Sequence, residues 1–331
     1  MTSPAVEAVE LVKRFGQNVA VDGVSFSVRP GTVLGLLGPN GAGKTTTVRM
    51  LTTLSQPTSG TGRVAGHDIV REPDAVRRSM GLLGQAATVD ELLTARENLW
   101  LIGRLSGLPK SYIAPAGADL LERFALADAA DRVVKTYSGG MRRRLDLAVS
   151  LIAAPPVMFL DEPTTGLDPR SRNDLWDVLR GLVRDGTTLV LTTQYLEEAD
   201  QLCDDIVVID KGRVIASGTP TQLKDQAGAA AVVLTLTHTA DLGRAEQLMR
   251  SCTSDVYVEP SARRLTAQAD GLGDMTRIGQ VFADSGIPVD DLGLQRPSLD
   301  DVFLALTGHR AEEPTEGTGD ADQPDLEGAL R

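Results

Sequence analysis

The stretch Gly38-Pro39-Asn40-Gly41-Ala42-Gly43-Lys44-Thr45-Thr46 constrains this chain more than any other. It fits G-x-x-x-x-G-K-[ST], and each residue type in the pattern has a physical task. Gly41 and Gly43 let the backbone fold tightly enough for its N–H groups to converge on phosphate oxygens. Lys44 can reach the β- and γ-phosphates, and the Thr45 hydroxyl can ligate Mg²⁺. The flanks agree. Thr32 to Leu37 is an apolar run that reads as a buried strand, and Lys44 to Leu54 reads as a helix whose N-terminus faces the anion. Strand, loop and helix in that order belong to an α/β fold of the P-loop NTPase kind.

Composition narrows what surrounds the loop. At 331 residues the chain is long for one domain and comfortable for two, and 42% hydrophobic residues suffice for a sizeable core. The net charge of −12 argues against nucleic acid as a partner, because phosphate backbones need a basic surface. Part of that charge is local. Glu312, Glu313, Glu316, Asp320, Asp322, Asp325 and Glu327 fall among few apolar residues, so 310–331 reads as a disordered, solubilising acidic tail. Cys203 and Cys252 have no metal-ligand spacing and read as buried free thiols, which suits the cytosol. Met1 to Leu11 has neither the basic nor the apolar region of a signal peptide. No segment approaches ~18 uninterrupted apolar residues, so a membrane pore, if one is involved, belongs to another chain.

Further along, Val6 to Arg14 and Val24 to Val28 read as antiparallel strands. Met80 to Leu83 is a short strand ending at Gly84-Gln85, and residues from about 87 to 150 read as mostly helical, with apolar spacing over Leu92 to Leu105 and Ala118 to Leu126. Ser138 to Ile152 is expected as a helix, Val157 to Asp161 as a buried strand, Pro169 to Val183 as a helix and Thr187 to Thr192 as a strand. Asp205 to Asp210 and Arg213 to Ala216 flank Lys211-Gly212 as a hairpin. A boundary falls near Asp225 to Ala230, beyond which the order βαββαβ suggests a small ferredoxin-like domain. Ser298 is a plausible N-cap for a last helix.

Four more segments follow the phosphate loop: Tyr137-Ser138-Gly139-Gly140-Met141, Val157-Met158-Phe159-Leu160-Asp161-Glu162-Pro163, Gly166-Leu167-Asp168 and Leu191-Thr192-Thr193-Gln194. In this order and spacing the set resembles the nucleotide-binding subunits of ATP-binding cassette (ABC) transporters. Thr192-Thr193-Gln194-Tyr195-Leu196, Gly84-Gln85-Ala86-Ala87-Thr88-Val89-Asp90-Glu91 and Pro297-Ser298-Leu299-Asp300-Asp301-Val302-Phe303-Leu304 extend the resemblance to the daunorubicin/doxorubicin-resistance ATP-binding subunits, up to about His309.

The resemblance implies a RecA-like core with an antiparallel β subdomain and a helical subdomain (5–226, helical part about 87–150), then a small α+β domain at 230–308. It implies ATP and Mg²⁺ as cofactors. Gly38, Pro39, Asn40, Gly41, Ala42, Gly43, Lys44, Thr45 and Thr46 would hold the phosphates, and Thr45, Gln85 and Asp161 the Mg²⁺. Glu162 would act as general base, a role that typically contributes ~10²–10⁴-fold in rate. Gln85 would contact the metal and the attacking water, and Phe15 would stack on adenine, a core ring being the alternative. Ser138, Gly139, Gly140 and Asp168 would act across a dimer of head-to-tail cassettes, since one chain carries one phosphate loop and one signature segment. Three departures stand out: Tyr137 replaces the usual signature Leu, Met141 the usual signature Gln, and Gln194 the usual His, keeping an amide donor without the capacity to become a cation.

The implied function is ATP-driven export of a hydrophobic, anthracycline-like drug through a separate multi-span permease, from the cytoplasmic side of the cell membrane, with no cargo held by this chain. A lipid, glycolipid or peptide cargo is the alternative. A soluble ABC ATPase without a permease is the remote one.

Overall fold

The central strands carry apolar side chains on both faces, with polar residues toward their ends, and this sets the architecture. The computed structural model describes residues 3–84, 88–226, 228, 230–253 and 255–307. Strands β1 (Val6–Phe15) and β2 (Asn18–Val28) pair antiparallel. The phosphate loop joins β3 (Val33–Leu37) to helix α1 (Lys44–Leu51), which stops a turn before the expected Leu54 because Thr53 turns into the left-handed region. β4 (Ser59–Val64) pairs with β1, β5 (His67–Asp68) with β4, and α2 (Pro73–Arg78) leads into β6 (Met80–Leu83).

A helical region follows, with α3 (Ala95–Leu105), α4 (Lys110–Arg123) and α5 (Gly139–Ser150). Then come β7 (Val157–Asp161), α6 (Pro169–Arg184), β8 (Thr188–Thr193), α7 (Leu196–Leu202), β9 (Asp205–Asp210), β10 (Arg213–Gly218) and α8 (Pro220–Gln226). The six-stranded sheet has the order β10-β9-β3-β8-β7-β6 and is parallel except for β10. Its strands alternate their side chains between two cores. Leu34, Leu36, Val157 and Phe159 pack toward β1, β2 and α1, whereas Leu37, Met158, Leu160 and Leu191 pack toward the helices. A parallel sheet covered on both sides requires such uninterrupted apolar runs. Truncating the fully buried Phe159 to alanine would cost about 3–5 kcal/mol.

The last part is β11 (Ala231–Leu236), α9 (Leu242–Cys252), β12 (Val256–Glu259), β13 (Arg264–Gln268), α10 (Leu272–Ser285) and β14 (Val289–Gln295). Its antiparallel sheet has the order β12-β13-β11-β14, the ferredoxin-like arrangement, over a separate apolar core. Helix α11 (Leu299–Thr307) then returns to α7 and α8, burying Leu299, Val302 and Phe303 in the cassette's own core. Cys203 is buried and Cys252 half-buried, both as free thiols. Among the described residues no helix is long and apolar enough to cross a membrane. The expected disordered tail at 310–331 lies outside the described residues, as does Gln85.

Candidate nucleotide site

The phosphate loop owes its shape to two glycines that nothing else could replace. A Cβ on Gly38 would lie 2.1 Å from the Ile209 carbonyl, and one on Gly43, at φ +106°, would lie 2.6 Å from the Ala20 carbonyl. The loop is therefore pressed between β9 and β2. Lys44 is buried, and its Nζ donates to the Gly38 carbonyl at 2.7 Å and the Pro39 carbonyl at 3.0 Å, with Glu162 Oε1 at 4.0 Å. A cavity of about 210 Å³ opens over the loop, lined by Asn40 to Thr46 together with Ala20 and Glu162. The backbone N–H groups and the N-terminus of α1 favour an anion there.

Two adjacent carboxylates stand at the end of β7, Glu162 lining the cavity, and β8 sorts them. Asp161, buried at the end of β7, pairs in register with Thr192. Its Oδ1 accepts hydrogen bonds from Thr45 Oγ1 at 3.0 Å and Thr192 Oγ1 at 2.6 Å. Thr192 Oγ1 also accepts the Glu162 N–H at 3.0 Å. Glu162 has φ +48°, left-handed backbone that a non-glycine residue adopts only when its surroundings hold it. The two acids thus point to different places, Asp161 to the Thr45 hydroxyl and Glu162 to the cavity mouth. Thr45 Oγ1 and the Asp161 carboxylate are hard oxygen donors side by side, which suits Mg²⁺. Among the described residues no group of three or more His, Cys, Asp or Glu could hold a metal, in keeping with an ion bound chiefly by substrate and water.

Glu162 also faces a second cavity, about 370 Å³, bounded by Gly139, Arg142, Asp146, Gly166 and Leu167. Ser138 caps α5 by accepting the Met141 N–H at 3.3 Å. A Cβ on Gly140 would lie 2.7 Å from Ser171 Oγ, whereas one on Gly139 would meet nothing within 4 Å. Asp168 caps α6, accepting the Ser171 N–H at 2.9 Å, and that bond holds its carboxyl below the usual carboxylate range. Gln194 follows β8, and its Oε1 is buried without a hydrogen-bond partner among the described residues. Phe15 is 55% exposed with the Lys13 ammonium 5.1 Å from its ring centre, so it is no core residue; it lies outside the lining of the loop cavity.

Three residues that sequence reasoning did not single out belong to this machinery. Thr192 bridges the two carboxylate residues, Arg143 donates to the backbone around them, and Glu198 lies wholly buried on α7 with Trp176 Nε1 donating at 3.3 Å. Arg143 stands two residues after the signature segment, and Glu198 four residues after Gln194, but only long-range packing gives either its partners.

Comparison with known proteins agrees with this geometry. The family described as ABC transporter matches residues 21–165. The chain is 50% identical over 314 residues to a daunorubicin resistance ATP-binding protein of Streptomyces coeruleorubidus, covering 94% of this chain and 98% of that one. It is 40% identical over 313 residues to a Nod factor export ATP-binding protein of Ralstonia nicotianae, covering 94% and 96%. Among solved structures, an ABC transporter cassette in its ADP conformation superposes with a TM-score of 0.61 at 26% identity, covering 67% of this chain and 93% of that one.

Proposed function

This chain belongs to the ATP-binding subunits of ABC transporters, in the family of the daunorubicin/doxorubicin resistance ATP-binding proteins, and from that premise we propose that it powers drug efflux through a separate membrane permease. It is an ATP-binding, ATP-hydrolysing cassette. The observation that carries the proposal is one arrangement: Lys44, Thr45 and Glu162 line a single cavity over the phosphate loop, and the Thr45 hydroxyl donates to Asp161.

Each residue has a task there. The loop N–H groups and Lys44 hold the β- and γ-phosphates. Thr45 and Asp161 hold Mg²⁺, with Gln85 as third partner; the ion, when bound, neutralises charge on the phosphate oxygens. Glu162 accepts a proton from the attacking water, and Thr192 fixes its backbone. Gln194 donates from its amide toward the γ-phosphate. Phe15, exposed beside the loop's strand pair, stacks on adenine, contributing on the order of 1–3 kcal/mol.

Ser138, Gly139, Gly140 and Asp168 act on the nucleotide of a second copy, so two cassettes close head to tail over two ATP molecules. Such a cassette works at the cytoplasmic face of the cell membrane without touching the cargo. The small α+β unit at 230–308 has a regulatory or dimerising role. The anthracycline-like cargo rests on the resistance proteins; the Nod factor relative supports a glycolipid-type cargo as the second reading.

Lys44→Ala and Glu162→Gln test the site. Lys44→Ala is expected to lose nucleotide binding or turnover. Glu162→Gln is expected to keep ATP binding, lower hydrolysis by about 10²-fold or more and accumulate a closed dimer, read by size-exclusion chromatography with ATP. Normal turnover by a monomeric Glu162→Gln protein would sink the scheme.

A further inference from the structure

The signature helix grips the catalytic backbone through one side chain. Arg143, on α5, donates from Nε to the Pro163 carbonyl at 2.8 Å. One terminal nitrogen donates to the Gly84 carbonyl at 2.8 Å, the other to the carbonyls of Asp161 at 3.2 Å and Glu162 at 3.0 Å. Three of these acceptors are consecutive and carry the two carboxylates. The fourth ends the segment leading into Gln85. One turn further along α5, Asp146 accepts the N–H groups of Thr88 at 2.7 Å and Val89 at 3.1 Å. Arg142 pairs with Glu91 at 2.7 Å. Helix α5 therefore holds the chain on both sides of residues 85–87 and, through Arg143 alone, holds the backbone of Glu162 as well.

This arrangement answers a need seen at Glu162. Its left-handed backbone requires support from its surroundings: Thr192 takes its N–H, while its carbonyl accepts from Arg143 at 3.0 Å and from the Thr165 N–H at 3.4 Å. A planar guanidinium with five fixed donors can serve four carbonyls at once; a lysine ammonium, with three donors at a point, cannot. Burial pushes the Arg143 guanidinium down and the Asp146 carboxyl up, as expected of groups withdrawn from bulk water.

We infer that Arg143 is a positioning residue for hydrolysis, aligning Glu162 and the entry to the glutamine loop with the signature helix. The inference rests on the reading of Glu162 as the base. Arg143 touches neither the phosphate loop nor Lys44 in any of these bonds, so its loss acts on turnover and leaves nucleotide affinity in place.

The test is steady-state ATP hydrolysis and titration with a fluorescent ATP analogue, using the full chain with Arg143→Met and Arg143→Lys and with Glu162→Gln alongside. Arg143→Met is expected to lower kcat about 100-fold with affinity within about twofold, because small misplacements of a reacting group cost that much. Arg143→Lys, keeping the charge and part of the hydrogen bonding, is expected to lose about tenfold. Wild-type turnover by either variant overturns the inference. A parallel loss of affinity and turnover also overturns it, making Arg143 a structural brace. If Arg143→Met does not fold, the lysine variant decides. Normal hydrolysis by Glu162→Gln would instead refute the base assignment, an outcome distinct from any shown by Arg143.

Discussion

At the scale of single residues, the site depends on atoms whose partners lie far away in sequence. Thr192 Oγ1 accepts from the Glu162 N–H and donates to Asp161 Oδ1, a role that exists only because β7 and β8 pair in register. Nothing in the local sequence marks it. By contrast, Lys44, Thr45, Asp161 and Glu162 were legible, because glycine spacing and an apolar run ending in two acids carry their own physical meaning. Gln194 lies between these cases. Its position was legible, but its environment was not: a buried Oε1 without a partner among the described residues. A histidine there could donate as a cation, and a charge-assisted bond to phosphate exceeds a neutral one by on the order of 1 kcal/mol. Gln194→His is therefore expected to leave kcat unchanged or to raise it by up to about tenfold, measured as phosphate release. A collapse of activity would show that the amide itself is required.

At the scale of elements, apolar periodicity located the parallel strands well and missed those held by pairing alone. β4 begins Ser-Gly-Thr-Gly and has no apolar pattern; it is a strand because β1 offers an edge, and Gly60 fits because a Cβ would lie 2.1 Å from the Glu10 carbonyl. α4 runs through Pro115, so its first half was hidden by a residue that usually ends helices. The packing of α7 on α6 was likewise invisible. Glu198 on α7 is wholly buried, with one carboxylate oxygen accepting from the Trp176 indole N–H at 3.3 Å and the Thr193 and Thr164 side chains as its further hydrogen-bond partners. Burial pushes this carboxyl above the ordinary Glu value of 4.5. The folded state then holds the proton more tightly than the unfolded chain, so the group's contribution to stability falls as pH rises through the window above 4.5. Glu198→Gln mimics the protonated form and can still accept from Trp176. Its melting temperature is expected to exceed that of the parent protein at pH 8, with the difference shrinking to nothing near the lower end of that window. An excess that is the same at every pH would mean that the carboxylate charge is not the destabilising element.

At the scale of the whole molecule, the return of α11 to α7 and α8 anchors the small domain to the cassette at both its ends, so its chain leaves and re-enters beside the helix that follows Gln194. The signature segment is exposed around Ser138 and Gly139. Gly140 has a reason within its own chain, since a Cβ would strike Ser171. Gly139 has none: its backbone is helical, and a side chain there would meet nothing within 4 Å. The space over it is open, and the N-terminus of α5 beside it would suit an anion. In the proposed head-to-tail dimer that anion would be the γ-phosphate on the partner's loop. Gly139→Asp should keep the fold, because an acid in the first turn favours the helix dipole, yet repel the incoming phosphate. Lys44→Ala spoils the loop and leaves the signature intact. Each variant alone is expected to be inactive. Mixed in equal amounts and re-equilibrated, half the dimers pair unlike chains, and each holds one intact composite site in two. About a quarter of the parent ATPase activity should return if the sites work independently. Recovery near zero would require either that both sites fire together or that loop and signature act within one chain, and a parent cassette covalently linked to a Lys44→Ala/Gly139→Asp cassette, active only in the second case, would separate those two arrangements.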